Sequence, residues 1–463
     1  QEERPVNIPR LIIADESSPG IVPSALTLCQ AMKSMGMRIN VFCSARSEED
    51  IRLLKLLTDG PVYNLDLYTF HSARNLKTHF QRTADPRGLN LILVPLGVKI
   101  DEKTFQAQPE PLELARVLDC GIVPVIASTA SAIVTSNMAI TALASLEAGD
   151  RNYVQGLLFA SAKNPREFQL MEQDYNRRTS TLSLGYIPKE IERPRPFLND
   201  LTPSSAPSRI FQIRSASLQL ANAKRQVEWK ILEALSFFNE SWTPPEALGY
   251  SARNLAIAVV GDGINVEGDS NIDAFQALGC NIHRYNPWEE NFPRGADALY
   301  FPHSMIRYTP EKLLENDDFR AGILQSVAAN KLILVNGASA LLFGQTCIAP
   351  DGRKLEGLGV FPFHGRFAER RAGGGHQKIE IRGINDTNFS KANEKMRGYV
   401  LSDLHISNPG NLAVPSWSYR DIRKDAELGT SGWIKNSCFV TELRLELWSC
   451  LNTLNRWLLL CKR

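Results

Sequence analysis

Ile333-Leu-Val-Asn336-Gly337-Ala-Ser339-Ala-Leu-Leu-Phe343-Gly344 decides how this chain is read. Three apolar residues run into Asn-Gly and then into a second apolar stretch, the pattern of a buried strand, a sharp turn and a helix. In α/β proteins such a corner lifts one side chain from the carboxyl end of a strand, with backbone N–H groups beside it to receive an oxyanion. Here the residue at the tip is Gly337, which has no side chain. The stretch therefore reads either as a nucleophile corner without its nucleophile or as a tight turn in a core strand.

The surroundings are those of an α/β protein. Apolar strands at Leu11–Ala14, Arg38–Phe42, Asn90–Pro95, Gly121–Ala127, Tyr153–Ala160 and Leu184–Pro188 alternate with helical patterns. The helices span about Pro23–Met35, Glu113–Leu118 and Ala132–Glu147. This alternation predicts a mainly parallel sheet covered by helices on both faces, joined by right-handed crossovers. Residues 191 to 210 hold four prolines and several serines, a linker composition, and a periodic helix is expected over Ser215–Asn239. A second α/β set follows: strands Asn254–Asp262, Asn281–Tyr285, Ala298–Phe301 and Leu332–Val335, with helices Asn271–Gly279 and Pro310–Ala329. Lys378–Arg382 alternates with period two, predicting an antiparallel extension, and a terminal helix is expected over Val440–Leu460. The fold class expected is thus two doubly wound, mainly parallel-sheet domains: residues 1–190, a linker and helix at 191–250, and residues 251–463.

Composition narrows the function. With 463 residues, 43% hydrophobic and 22% charged, the chain can bury more than one core. A net charge of +2 provides no basic field for nucleic acid. No apolar run approaches the roughly 20 residues that span a bilayer, so no transmembrane segment is expected. The eight cysteines are scattered without a CxxC pair, which predicts reduced thiols in a reducing compartment such as cytoplasm or an organelle matrix or stroma. The sequence opens Gln-Glu-Glu-Arg-Pro with no methionine and reads as a processed or trimmed product.

The first strand–loop–helix unit is where a phosphate cradle belongs. Such a loop needs glycines, a lysine for the phosphates and a hydroxyl for magnesium. This loop offers Gly20, Ile21, Val22 and Pro23, with no lysine and with a proline that removes a donor.

At this point the chain resembles the cobyrinic acid a,c-diamide synthase family, over about residues 10 to 445. The resemblance is carried by Asn64-Leu65-Asp66, by Glu113-Leu114-Ala115 with Ile122–Ser128, and by Gly156–Phe159 with Leu184–Pro188. Asn271 with Leu278-Gly279, Asp297–Tyr300, Gly357–Gly359 and Arg397-Gly398 continue it. It implies an N-terminal ATP-binding domain related to dethiobiotin synthetase, hence P-loop-like, and a C-terminal triad-type glutaminase domain. It also implies amidation of tetrapyrrole carboxylates with ATP and magnesium.

The departures fall on the chemistry. The family's Gly-Lys-Thr-Thr aligns with Gly20–Pro23, its nucleophilic cysteine with Gly337, and its C-terminal histidine with Arg444. His405 is a remnant of a second histidine motif if an insertion is allowed, and the glycine-rich loop of the family aligns with Pro302–Arg307. Cysteine-to-glycine removes the nucleophile, and histidine-to-arginine removes the base. Ser339 reads as a helix cap before a nucleophile. Asp262 reads equally as a ligand contact or a turn former. Arg370 and Arg371, with Arg366 nearby, read as an exposed charge cluster before a contact for a carboxylate-rich ligand, and Ala372–His376 reads as a flexible loop.

The expectation is therefore a catalytically degenerate member that binds or scaffolds, with no intact catalytic residue, no metal site and no cofactor. Its partners would be a tetrapyrrole-like polycarboxylate or other proteins, with a homodimer left open and no nucleic acid. Asn64, Asp66, Ser128 and His303 are the candidate ligand-cleft residues. The alternative is an ATP-dependent amidoligase that uses free ammonia or a rebuilt site.

Overall fold

The computed structural model describes residues 7–15, 24–44, 47–96, 98–100, 107–128, 131–191, 207–222, 226–237, 242–249, 254–261, 266–304, 310–368, 377–407 and 414–461. The chain forms two compact units: Gln1–Asp66 with Leu76–Glu246, and Leu67–Asn75 with Ala247–Arg463.

The first unit is built on seven strands: β1 Arg10–Asp15, β2 Ile39–Cys43, β3 Val62–Asn64, β4 Leu89–Pro95, β7 Gly121–Ala127, β8 Gly156–Ala162 and β9 Leu182–Pro188. Between the fourth and fifth of these lies a two-stranded ribbon, β5 Val98–Ile100 and β6 Ala107–Pro109. The seven lie in the order β3-β2-β4-β1-β7-β8-β9, all parallel. The helices are α1 Ser24–Ser34, α2 Glu48–Thr58, α3 Ala73–Thr83, α4 Glu110–Leu118, α5 Ala132–Ala144, α6 Pro165–Arg178, α7 Pro207–Asn222 and α8 Trp229–Leu235. Strand residues alternate between two cores, as a sheet buried on both faces requires. Leu158 and Ala160 of β8 pack in one with Leu26, Leu54 and Leu232. Leu157 and Phe159 pack in the other with Phe168, Met171 and Tyr175 of α6.

The helix expected over Ser215–Asn239 is divided into α7 and α8. Between them Gln226–Glu228 runs beside β9: Tyr186 N–H donates to Gln226 O (2.7 Å) and Glu228 N–H to Leu184 O (2.9 Å). The open edge of the sheet recruits this backbone and the helix yields. Leu220 and Leu232 then pack into the first unit's core.

The second unit carries β10 Ala256–Val260, β11 Asn281–Tyr285, β12 Ala298–Phe301, β13 Leu332–Asn336, β22 Trp433–Lys435 and β23 Cys438–Thr441. They lie in the order β11-β10-β12-β13-β23-β22, parallel except for the last pair. Its helices are α9 Ser270–Ala277, α10 Pro310–Leu314, α11 Asp317–Ala328 and α12 Leu451–Leu458. The single helix expected over Pro310–Ala329 is two, because the Asn316 side chain accepts the Phe319 N–H and starts a new one. The helix expected from Val440 begins only at Leu451. Cys438–Thr441 instead pairs parallel to β13, so the apolar run is a core strand.

Two further sheets follow, one mixed and one antiparallel, and the expected strand at Lys378–Arg382 lies in the antiparallel one. One holds β14 Thr346–Ile348, β15 Lys354–Glu356, β16 His364–Phe367 and β19 Leu404–Ser407. The other holds β17 Gln377–Gly383, β18 Lys395–Val400, β20 Trp417–Asp421, β21 Ala426–Ser431 and β24 Arg444–Leu445. Among the described residues no helix is long and apolar enough to cross a membrane.

Candidate functional site

The candidate site stands at the carboxyl end of β13. All five residues of that strand are buried, and it lies between β12 and β23. At Gly337 the backbone turns to φ +63°, a conformation that favours glycine, and enters a 3₁₀ turn over Gly337–Phe343. The Gly337 N–H donates to Leu443 O at 3.0 Å.

His303, two residues past β12, fills the space a side chain at 337 would need. A Cβ there would lie 2.4 Å from His303 Nδ1 and 2.7 Å from its Cβ and Cγ. The Ala338 N–H, the donor that follows the nucleophile position and faces an oxyanion in such corners, donates to His303 Nδ1 at 3.0 Å. Nδ1 is thereby an acceptor, and this bond assigns the ring its unprotonated Nδ1 form. His303 is 4% exposed. Ser339 is not a helix cap: its hydroxyl donates to Pro302 O at 3.1 Å.

Glu267 is the hub that holds this arrangement. Its Oε1 accepts from Asn271 Nδ2 (3.1 Å) and from the Tyr300 hydroxyl. Its Oε2 accepts from the His303 N–H (3.0 Å) and Asn336 Nδ2 (2.8 Å). An ionised carboxylate offers about four acceptor sites, so these donors satisfy it. Burial pushes the Glu267 carboxyl above its usual value; the Tyr300 hydroxyl and the His303 N–H oppose this. Burial, then the Glu267 charge, holds the Tyr300 phenol well above its usual value, so it remains a donor. Asn336 Oδ1 accepts from the Leu445 N–H at 2.7 Å and Asn271 Oδ1 from the Leu447 N–H at 2.8 Å, so the amides brace β24 and the turn after it.

Arg444 lies in the same network. It is 3% exposed, donates from Nη2 to Glu267 O at 3.0 Å and pairs with Glu446 Oε1 at 2.9 Å. Its guanidinium sits 4.9 Å from the centre of the Tyr399 ring. A guanidinium held this way has no acceptor atom and cannot serve as a base. His405 lies elsewhere, exposed on β19 and in register with Arg366 of β16.

Asn64, Asp66 and Ser128 belong to the first unit. Asn64 Oδ1 accepts from the Asp66 N–H at 3.1 Å, and both residues are buried. Ser128, just past β7, is 3.5 Å from Thr135 Oγ1 and from Glu167 Oε1. β3 and β7 are four strand intervals apart in the sheet, about 19 Å at ~4.8 Å each, so these residues do not converge on one small group. Gly20, Ile21, Val22, Pro23, Asp262, Arg370, Arg371 and Ala372–His376 lie outside the described residues.

Around that first loop the structure records one decisive bond. Asp15, the last residue of β1, accepts the Ala25 N–H in the first turn of α1 through Oδ2 at 2.8 Å. In a phosphate-binding corner that helix terminus faces the anion. Here the chain's own carboxylate stands there, and a carboxylate repels phosphate. The loop between β1 and α1, residues 16–23, has no lysine in its sequence and lies outside the described residues. Among the described residues no cluster of His, Cys, Asp and Glu could hold a metal ion. Burial pushes the thiols of Cys29, Cys120, Cys347 and Cys450 up to about 12, which disfavours their reactive thiolate form.

Sequence reasoning placed the corner and named Gly337, Arg444 and His303, but it missed Glu267, Asn271, Tyr300 and Asn336 as a connected set. Glu267 precedes α9 in Glu-Gly-Asp, which reads locally as turn composition; only the fold brings it under β12 and β13.

Comparison with known proteins agrees with the resemblance. The chain is 21% identical over 455 residues to the cobyrinate a,c-diamide synthase of Listeria monocytogenes serotype 4b (strain F2365), covering 95% of this chain and 96% of the relative. It is 23% identical over 390 residues to the hydrogenobyrinate a,c-diamide synthase of Stutzerimonas stutzeri (strain A1501), covering 81% and 84%. A solved glutamine amidotransferase matches with 13% identity and a TM-score of 0.33, over 44% of this chain and 96% of that one. No protein-family model matches the chain. The chain is thus a distant relative, over most of its length, of the cobyrinate and hydrogenobyrinate a,c-diamide synthases.

Proposed function

We propose that this chain is a non-catalytic relative of the a,c-diamide synthases that acts as a binding or scaffold protein. Its ligand class would be a tetrapyrrole-like polycarboxylate, the kind of molecule the relatives' names specify, or it would serve as a subunit of a larger assembly. The observation that carries this reading is His303. Its ring takes both the volume of a nucleophile's side chain at 337 and the N–H that would receive the oxyanion. The buried Arg444–Glu446 pair, standing where a base belongs, supports it. So does the Asp15 carboxylate on the first turn of α1. Neither ATP nor magnesium is needed in this reading.

The test is a titration of the full chain with a corrin polycarboxylic acid and a porphyrin polycarboxylic acid, followed by absorbance, beside affinity capture of protein partners. Saturable binding with no product, or a stoichiometric partner, is expected. Amidation of either acid that depends on ATP and ammonia would overturn the reading in favour of a working ligase. Absence of both ligand and partner would also contradict it.

A further inference from the structure

The sheet of β17, β18, β20 and β21 buries one face and turns the other outward, as alternation along each strand requires. Ile379, Ile381, Met396 and Trp417 lie on the buried face. The register sets Lys378, Glu380 and Arg382 of β17 outward, beside Arg397 and Lys395 of β18 and Arg420 of β20, with Glu427 of β21 beyond. Five cations there stand against two carboxylates. Arg382 is directly opposite Lys395, and like charges so placed destabilise a sheet. Arg397 is the diagonal neighbour of Arg382, about 7–8 Å away.

Neutral groups, not carboxylates, position the two arginines. Arg382 Nη2 donates to Asn393 Oδ1 at 2.7 Å. Arg397 Nη1 donates to the Tyr68 carbonyl at 2.9 Å, and its guanidinium lies 4.9 Å from the centre of the Tyr68 ring. Tyr68 belongs to this same unit, and its hydroxyl donates to Ile379 O, which ties the ring to β17. Arg397 is in register with Glu380 yet forms no ion pair with it, and Lys395 Nζ stands 3.7 Å from Glu380 Oε1, beyond hydrogen-bond distance. A guanidinium has five N–H donors, so both arginines are held in place with donors to spare. Arg420 is already taken by Asp425 at 2.6 Å.

We propose that this face binds a small polycarboxylate, whose carboxylates are received by Arg382, Lys395 and Arg397. The proposal rests on the ligand class given above and adds the place where that ligand sits. Charge complementarity calls for an anion, and a guanidinium fork matches a carboxylate with two parallel hydrogen bonds. Bound carboxylates would also relieve the repulsion between Arg382 and Lys395. The patch is about 14 Å along β17 and about 10 Å from β18 to β20, since strands rise ~3.4 Å per residue and lie ~4.8 Å apart. That is roughly 140 Å², against the ~800 Å² each partner of a protein complex buries, so the occupant is a small molecule.

The experiment is a titration of the full chain with a porphyrin octacarboxylic acid, followed by absorbance in a salt series. Saturable binding that weakens as salt rises is expected. Arg382→Ala with Lys395→Ala should weaken it by about tenfold or more, with a urea midpoint unchanged or higher because a like-charge pair has gone. Arg397→Gln alone should weaken it about threefold or more. Arg353→Ala, which removes an exposed arginine paired with Asp351, should bind as the wild type does. Wild-type affinity in the Arg382, Lys395 and Arg397 variants overturns this site and leaves the proposed function standing. Equal binding of the octamethyl ester also overturns it, because carboxylates would then not be what the face holds. No binding of the acid by the wild type contradicts the ligand class itself, and this site with it.

Discussion

β1 is followed in the chain by α1, and β13 by a 3₁₀ turn, and the polar groups described at the two strand ends differ. At the first, the Asp15 carboxylate accepts the Ala25 N–H of α1. At the second, His303 accepts the Ala338 N–H while a buried set of Glu267, Asn271, Tyr300 and Asn336 fixes everything around it. The difference concerns how hard each corner is to reopen. A single cap contributes about 1 kcal/mol and can be removed alone. A connected polar network in a low-dielectric interior resists single changes, because each removal strands several partners.

The largest effect should therefore come from the hub. Glu267→Ala takes the carboxylate acceptor from the Tyr300 hydroxyl and the His303 N–H, while the Asn271 and Asn336 amides keep Leu445 O, and about 3–5 kcal/mol of stability should be lost. Urea unfolding measures it; a loss below 1 kcal/mol would mean the network does not hold the corner.

Next is Gly337→Cys. The new Cβ meets His303 at 2.4 Å with φ at +63°, so a loss of about 2–4 kcal/mol is expected, with no glutamine hydrolysis. His303→Ala in the same chain should recover part of that loss without creating activity, because Arg444 supplies no base. Strict additivity of the two substitutions would show that the ring and the new side chain do not compete.

Asp15→Ala should cost about 1–2 kcal/mol as a lost cap and should leave nucleotide binding undetectable at millimolar MgATP by calorimetry. Tight nucleotide binding by this variant would show that Asp15 alone had been excluding phosphate.

The smallest effect is a pH slope. Burial raises the Glu442 carboxyl from 4.5 to about 7, while the Ser431 hydroxyl, donating at 2.6 Å, opposes the shift. The folded protein keeps this proton where the unfolded chain has lost it. The contribution is thus fully present below 4.5, is lost as pH rises, and is gone above about 7. Glu442→Gln should flatten that part of the wild-type profile in denaturant titrations at pH 5 and pH 8; parallel profiles would contradict it.

Much of the fold was legible because parallel strands buried on both faces are short apolar runs with turn residues between them. Six of the seven strands of the first sheet and the turn after β13 follow from that pattern; β3, three residues at the sheet edge, was too short to show it. α2 was missed although Ser47 before Glu48-Glu49-Asp50 is a cap with an acidic first turn, and the Ser47 side chain does accept the Asp50 N–H. The terminal helix was read too long because Cys438–Thr441 is apolar in either state, and only pairing with β13 decides. Gly337 at the end of β13 was legible from the Asn-Gly turn that follows an apolar run. The filling of the site was not, because the contact between His303 and Ala338 joins residues 35 apart in the chain.

The account turns on whether the β13 corner still handles glutamine. Ammonia release from glutamine by the purified full chain, with and without MgATP and a corrin polycarboxylic acid, tests that directly. The structure predicts no release above the buffer rate under any condition. Sustained turnover that disappears in the Gly337→Cys or His303→Ala chain would contradict the claim that His303 has closed the site.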